Sequence, residues 1–165
     1  GSVMPFFLNK KNKGEPFLPI TDSSMTRFNI SLEDGCEMVF YAIEKAWGGE
    51  IFVPKIPSYK ITDVATAIAP GLEQKIVGIR PGEKLHEEMI TVSDSYNTLD
   101  LGKYYAILPQ KSPYSAYCKD DYKKAFNGTD VPNNFSYNSG DNTEWESIES
   151  LRELVKIHVD PNFII

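Results

Sequence analysis

The chain has 165 residues, 41% of them apolar and 24% charged, with a formal net charge of −6. These proportions are ordinary for a globular domain with a real core, and they exclude wholesale disorder, a collagen-like repeat and a disulfide mini-protein. An acidic chain lacks the basic field that general binding to nucleic acid or an anionic membrane requires. Its apolar runs fall far short of a bilayer span, and its two cysteines, Cys36 and Cys118, fit a reduced, cytoplasmic setting with no secretory leader.

In chain order, the run from Val3 to Lys13 is apolar and then basic and stops at Gly14, which predicts a helix with lysines in its last turn. Phe17 to Ile20 reads as a short extended piece broken by Pro19. Ser31-Leu32-Glu33-Asp34 has the form of a capping box, in which the Ser31 hydroxyl takes an early amide while Asp34 reaches back. The helix it opens carries Cys36, Val39, Phe40 and Ile43 on one face and ends at Gly48-Gly49. Glu50 to Val53 predicts a buried strand, and a second helix (Val64, Ala65, Ile68) begins at Thr62 and stops at Pro70-Gly71. Gln74 to Val77 predicts a further strand, leading into a turn at Arg80-Pro81-Gly82-Glu83 and a short helical turn after it. The composition changes near residue 92, separating a region 1–92 from a region 93–165. In the second, Tyr104 to Leu108 is strand-like and residues 109–146 are loop-dominated. A final amphipathic helix starts at Ser147 with Ile148, Leu151, Leu154 and Val155 inward and Glu149/Arg152 and Glu153/Lys156 pairs on its wet face. Short connections between alternating strands and helices indicate α/β structure.

The chemistry-bearing motifs are few. The sequence has neither a G-x-G-x-x-G nor a G-x-x-x-x-G-K-[ST] loop for a phosphate, and its two histidines, His86 and His158, have no neighbours at metal spacing, so no metal site is expected. The cysteines are expected as packed thiols. Tyr41 and Lys45 match the Y-x-x-x-K spacing that places a phenol and an ammonium on one helical face in some oxidoreductases. No nucleotide fold precedes them, and Lys45 is explained by the dipole at its helix's C-terminus.

Only three arginines occur among 17 basic residues, and guanidinium groups recognise phosphate by a fixed fork. Arg27 follows a polar turn, Thr21 to Thr26, where it either faces an anionic ligand or pairs with an acid such as Asp22 or Glu33. Arg80 and Glu83 flank a Pro-Gly turn whose rigidity favours a phosphorylated, hydroxyl-bearing ligand over a mere surface ion pair. Arg152 reads as helix-surface charge.

The order of motifs then carries a resemblance. Gly1-Ser2-Val3-Met4-Pro5-Phe6, Ile20-Thr21-Asp22 with Met25-Thr26-Arg27-Phe28, Gly48 to Ser58, Gly78 to Glu87 and, near the end, Asn142-Thr143-Glu144-Trp145 follow one another without disruption. Together they resemble the C-terminal half of the inverting UDP-N-acetylglucosamine 4,6-dehydratases, extended short-chain dehydrogenase/reductases that start pseudaminic acid and related bacterial surface-sugar pathways. The resemblance implies an α/β, NAD(P)-binding Rossmann-like enzyme of which this chain is the substrate-binding part. Region 1–92 would bind the nucleotide-sugar and region 93–165 would be a loop-rich end. The cofactor NADP, the catalytic Tyr and Lys and the acid/base pair would belong to a segment N-terminal to this chain, leaving no catalytic residue here. Of the residues lining the family's substrate site, Val3, Thr21, Arg80 and Glu83 are retained: Val3 beside the nucleotide-sugar, Thr21 near the uridine, Arg80 on the diphosphate or ribose and Glu83 on a ribose hydroxyl. Arg27 matches a diphosphate-binding position of related enzymes. The implied partners are UDP-N-acetylglucosamine and further copies of the enzyme. The alternative is a non-catalytic nucleotide-sugar binding or assembly module.

Overall fold

The computed structural model describes residues 3–109 and 118–165. Gly1 and Ser2 of the first motif, and residues 110–117 of the loop-rich stretch, lie outside the described residues. In chain order the elements are α1 (Val3–Asn12), β1 (Phe17–Ile20), β2 (Thr26–Phe28), α2 (Leu32–Lys45), β3 (Ile51–Pro54), β4 (Ser58–Lys60), α3 (Ile61–Ile68) and β5 (Glu73–Ile76). They continue with β6 (Glu88–Ile90), β7 (Thr98–Asp100), β8 (Tyr104–Ile107), α4 (Lys119–Phe126), β9 (Thr129–Asp130), β10 (Tyr137–Asn138) and α5 (Ile148–His158). The architecture is mixed α/β.

The chain forms two compact units, each drawn from separated stretches. The first holds Gly1–Asn29, Pro57–Glu87 and Ser139–Ile165; the second holds Ile30–Ile56 and Glu88–Asn138. Packing places α5 in the same unit as α1 and α3.

In the first unit, β1 and β5 pair in parallel with Ile20 opposite Ile76. Pro19 does not break β1: a strand paired on one side only leaves an open edge, where a proline's missing N–H costs no ladder bond. β2 and β4 pair antiparallel with Arg27 opposite Tyr59. Helix α3 packs against α1 and α5, joining Phe7, Leu18, Ile20, Val64, Ile68, Leu151 and Val155 in one buried cluster. The side-chain oxygen of Ser147 caps α5 by accepting from Ser150 N–H at 3.1 Å, as its position before the apolar run suggests. Arg152 is not simple surface charge: its Nε donates to Ala67 O at 3.3 Å, satisfying a carbonyl near the C-terminus of α3. Lys156 and Glu153 do form the expected surface pair at 3.1 Å.

The second unit is built on an antiparallel sheet of order β3-β8-β7-β9, with β6 and β10 paired separately. Its core is small, Leu99, Ala106, Leu108 and Tyr122, supplemented by rings: Tyr122 stacks on Phe126 at 4.4 Å, and Tyr41 meets Tyr104 at 4.5 Å. Ser31 Oγ accepts from Asp34 N–H at 3.0 Å, and its hydroxyl donates to the Asp34 carboxylate at 2.6 Å, so the capping pair closes side chain to side chain. The apolar face of α2 is exposed, with Phe40 at 70% and Ile43 at 75%. Cys36 on that face is likewise exposed rather than packed. Helix α4 and strands β9 and β10 lie within the stretch read as loop; Asn127 ends α4 in the left-handed conformation that Asn tolerates.

Candidate functional site

The turn after β5 forms as its residues dictate. Pro81 presets φ, Gly82 adopts φ +82°, and Glu83 N–H donates to Arg80 O at 3.0 Å, the geometry of a type II turn. Arg80 N–H also donates to Glu83 Oε2 at 3.3 Å, so the carboxylate folds back toward the turn while the Arg80 side chain stands in solvent. No helical turn follows: residues 84–87 run along β2, where Thr26 N–H donates to Leu85 O at 3.1 Å.

Thr21 leaves the carboxyl end of β1, and Val77, whose N–H donates to Ile20 O at 2.8 Å, continues the parallel ladder toward Arg80. The Thr21 and Arg80 turns therefore both start from the carboxyl ends of one parallel pair, the edge where open α/β sheets bind ligands. Beyond Thr21, Asp22 accepts from Ser24 N–H at 2.8 Å and from the Ser24 hydroxyl at 2.5 Å. These bonds, the side-chain one foremost, hold its carboxyl below the usual aspartate range, so this turn carries a firm negative charge.

Arg27 pairs with neither Asp22 nor Glu33. Its Nη1 donates to Thr26 O at 2.6 Å and Leu85 O at 3.1 Å, its Nη2 donates to Lys84 O at 3.1 Å, and Nε lies 3.7 Å from Glu87. Its guanidinium thus rests on backbone carbonyls, with 19% of its side chain exposed. Val3 sits half-buried on the first turn of α1 against the core.

A cleft of about 670 Å³ opens in the same unit, lined by Ser23, Ser24, Lys60, Asp63, His86 and Trp145 among others. Sequence reading missed it because its walls come from separated stretches; His86 and Trp145 stood inside quoted motifs, which was the available signal. Among the described residues no acid, His or Cys cluster could hold a metal, and no helix is long and apolar enough to cross a membrane. Of the Tyr41 and Lys45 pair, burial pushes the Tyr41 phenol up while the nearby Lys45 charge opposes the shift, and Lys45 pairs with Glu44 at 2.7 Å.

Comparison with known proteins gives a consistent picture. Residues 1–109 match the family model described as polysaccharide biosynthesis protein. An inverting UDP-N-acetylglucosamine 4,6-dehydratase of Campylobacter jejuni serotype O:2 is 49% identical over 160 residues, covering 94% of this chain and 47% of that protein. A UDP-glucose 4-epimerase of Rickettsia canadensis is 42% identical over 111 residues, covering 65% of the chain and 32% of the relative. The solved structure of Pen from Bacillus thuringiensis superposes with a TM-score of 0.73 at 28% identity, over 94% of this chain and 45% of that one. The chain thus spans about half the length of the curated dehydratase it matches. It belongs to the polysaccharide biosynthesis protein family, within the extended short-chain dehydrogenase/reductases.

Proposed function

We propose that this chain is the substrate-binding, C-terminal portion of an inverting UDP-N-acetylglucosamine 4,6-dehydratase. It would serve bacterial surface-sugar biosynthesis of the pseudaminic acid type, in the cytoplasm, as part of a self-associating enzyme that uses NADP. The observation that carries the reading is the type II turn at the carboxyl edge of β1 and β5, which sets an exposed guanidinium three residues before a carboxylate on a rigid support. Arg80 supplies paired donors for diphosphate oxygens, and Glu83 accepts from a ribose hydroxyl. Thr21 offers a hydroxyl from the neighbouring turn for the uridine, and Val3 contributes apolar contact to the nucleotide-sugar. Arg27 adds a second guanidinium toward the diphosphate, on the strand beside the segment that leaves Glu83. The 47% and 49% identities to two dehydratases over 94% of the chain support the choice of substrate.

The residues present do not fit the dinucleotide cofactor. The turns that follow β1 and β5 lack the glycine-rich pattern that cradles a dinucleotide's pyrophosphate at a helix N-terminus. In this reading, oxidation at C4, loss of water across C5–C6 and inversion at C5 belong to the half that carries NADP; the present chain binds and orients the nucleotide-sugar.

Calorimetry with UDP tests the site. Wild-type chain is expected to bind, and Arg80→Ala to weaken binding at least about tenfold, the scale of a lost charge-assisted pair. Equal affinity in Arg80→Ala, or formation of 4-keto sugar by these 165 residues alone, would sink the reading.

A further inference from the structure

The Arg80–Glu83 turn is closed by two local hydrogen bonds, and Arg80, Pro81 and Gly82 are exposed. Its placement thus depends on the segments that flank it. On one side the β1–β5 ladder, continued by Val77 N–H to Ile20 O, fixes the approach. On the other side residues 84–87 are fastened by groups remote in sequence.

That second fastening has an unusual centre. Ser139 N–H donates to Glu87 O at 2.8 Å, and Glu87 N–H donates to Ser139 Oγ at 2.9 Å. The Thr26 hydroxyl lies 2.7 Å from Ser139 Oγ and 2.7 Å from His86 Nδ1. Thr26 is 3% exposed and Ser139 0%, so water cannot readily replace either partner. The His86 ring rests on Gly140: a Cβ there would stand 2.8 Å from Cγ and Nδ1 and 3.0 Å from Cδ2. Carbon atoms settle at about 3.5–4.0 Å, so a methyl group must displace the ring or the strand. Gly140 is not among the positive-φ glycines; its missing side chain answers to the imidazole and not to backbone strain.

We propose that His86, seated on Gly140 and hydrogen-bonded through Thr26 to Ser139, is a positioning residue for the nucleotide-contacting turn. By locking the backbone that leaves Glu83, it fixes the angle at which the Arg80 guanidinium and the Glu83 carboxylate are presented. The inference rests on the reading of Arg80 and Glu83 as nucleotide contacts, and goes beyond it by assigning the support to His86, Thr26, Ser139 and Gly140, which that reading does not use.

The experiment compares Gly140→Ala, His86→Ala, the double variant and His86→Asn in the full 165-residue chain, by hydrogen exchange at the Glu83 amide and by UDP calorimetry. Gly140→Ala is expected to speed exchange at Glu83 about tenfold and to weaken UDP by a similar factor. The double variant should match His86→Ala alone, because without the ring the added methyl meets nothing. His86→Asn, which keeps a polar atom near Thr26, should stay within about twofold of wild type. Unchanged exchange at Glu83 in Gly140→Ala, or effects of the two single changes that simply add in the double variant, overturns the proposal. If Gly140→Ala does not fold, His86→Ala decides by the same exchange measurement, faster exchange supporting the proposal and wild-type exchange overturning it. Arg80→Ala separates the two readings: loss of UDP with wild-type exchange marks a ligand contact, not a support. Should wild-type chain fail to take UDP, the nucleotide reading falls, while exchange at Glu83 still judges whether His86 holds the turn.

Discussion

The two compact units use the same kind of helix in opposite ways. In the first, α3 and α5 turn their apolar faces into a shared core, and Ile68, Leu151 and Val155 are fully buried. In the second, α2 has comparable apolar spacing but no buried residue, with Leu32 at 79% and Ile43 at 75% exposure. Periodicity creates an apolar stripe; whether the stripe contributes to stability depends on a partner surface that no local pattern encodes. The units also differ in what they carry. Thr21, Arg27, Arg80 and Glu83 all belong to the first unit, where hydrogen bonds spanning more than fifty residues fix the segments beside them.

The largest effect that would sharpen this contrast comes from the first core. Leu151→Ala is expected to cost about 2–5 kcal/mol, the range for emptying a packed leucine site. The chain provides a reporter for each unit, since Trp145 lies in the first and Trp47 in the second. Denaturant titration followed by Trp145 fluorescence in a Trp47→Phe background should show the midpoint fall. A loss under about 0.5 kcal/mol would mean that the cluster around α3 and α5 is not the stabilising core it is taken to be.

A smaller, pH-dependent effect should appear at the same reporter. Burial pushes the Tyr59 phenol up from 10.0 to about 12, with nearby Glu87 adding to the shift and Arg27 opposing it. The folded state therefore holds this proton more tightly than the unfolded chain. Its stabilisation is fully present below pH 10 and is lost as pH rises from 10 through about 12. At ~1.4 kcal/mol per pH unit the window is worth about 2–3 kcal/mol. Tyr59→Phe should remove that part of the alkaline decline seen by Trp145. Parallel declines in the two proteins would locate the alkaline sensitivity elsewhere.

Much of this was legible in the sequence where the determinant is local. Ser31 and Ser147 announce their helices because a cap needs only an oxygen near the third amide onward, and the Pro81-Gly82 pair dictates its turn. Three-residue strands such as Thr26–Phe28 and Ser58–Lys60 were not, since each exists through pairing with the other across thirty residues and shows no period of its own. Helix α4 hid in polarity: of Lys119 to Phe126, Tyr122 alone is fully buried. The site divided along the same line. The Arg80–Glu83 turn proposed for the site could be read from Pro81 and Gly82, but the engagement of Arg27 with the carbonyls of Lys84 and Leu85 could not. Every residue offers a carbonyl, so no residue type marks which will be used. Arg152 escaped for the same reason, its acceptor being Ala67 O.

The smallest expected effect tests the exposed stripe itself. In the second unit, half-buried Gly35, Met38, Tyr41 and Ala42 mark the inner side of α2, and Tyr41 meets Phe52 edge-on at 5.2 Å. Ile43 lies on the opposite side with three quarters of its surface in water. Replacing it by Ser removes apolar surface that folding of this chain does not bury, and Ser is only slightly poorer than Ile as a helix former. Ile43→Ser is therefore expected to shift the Trp47-reported midpoint by no more than about 0.5 kcal/mol. A cost above about 1.5 kcal/mol, which approaches that of removing a buried aliphatic side chain, would show that the face is covered in solution. The asymmetry between the units would then lie in what surrounds each, and not in how each folds.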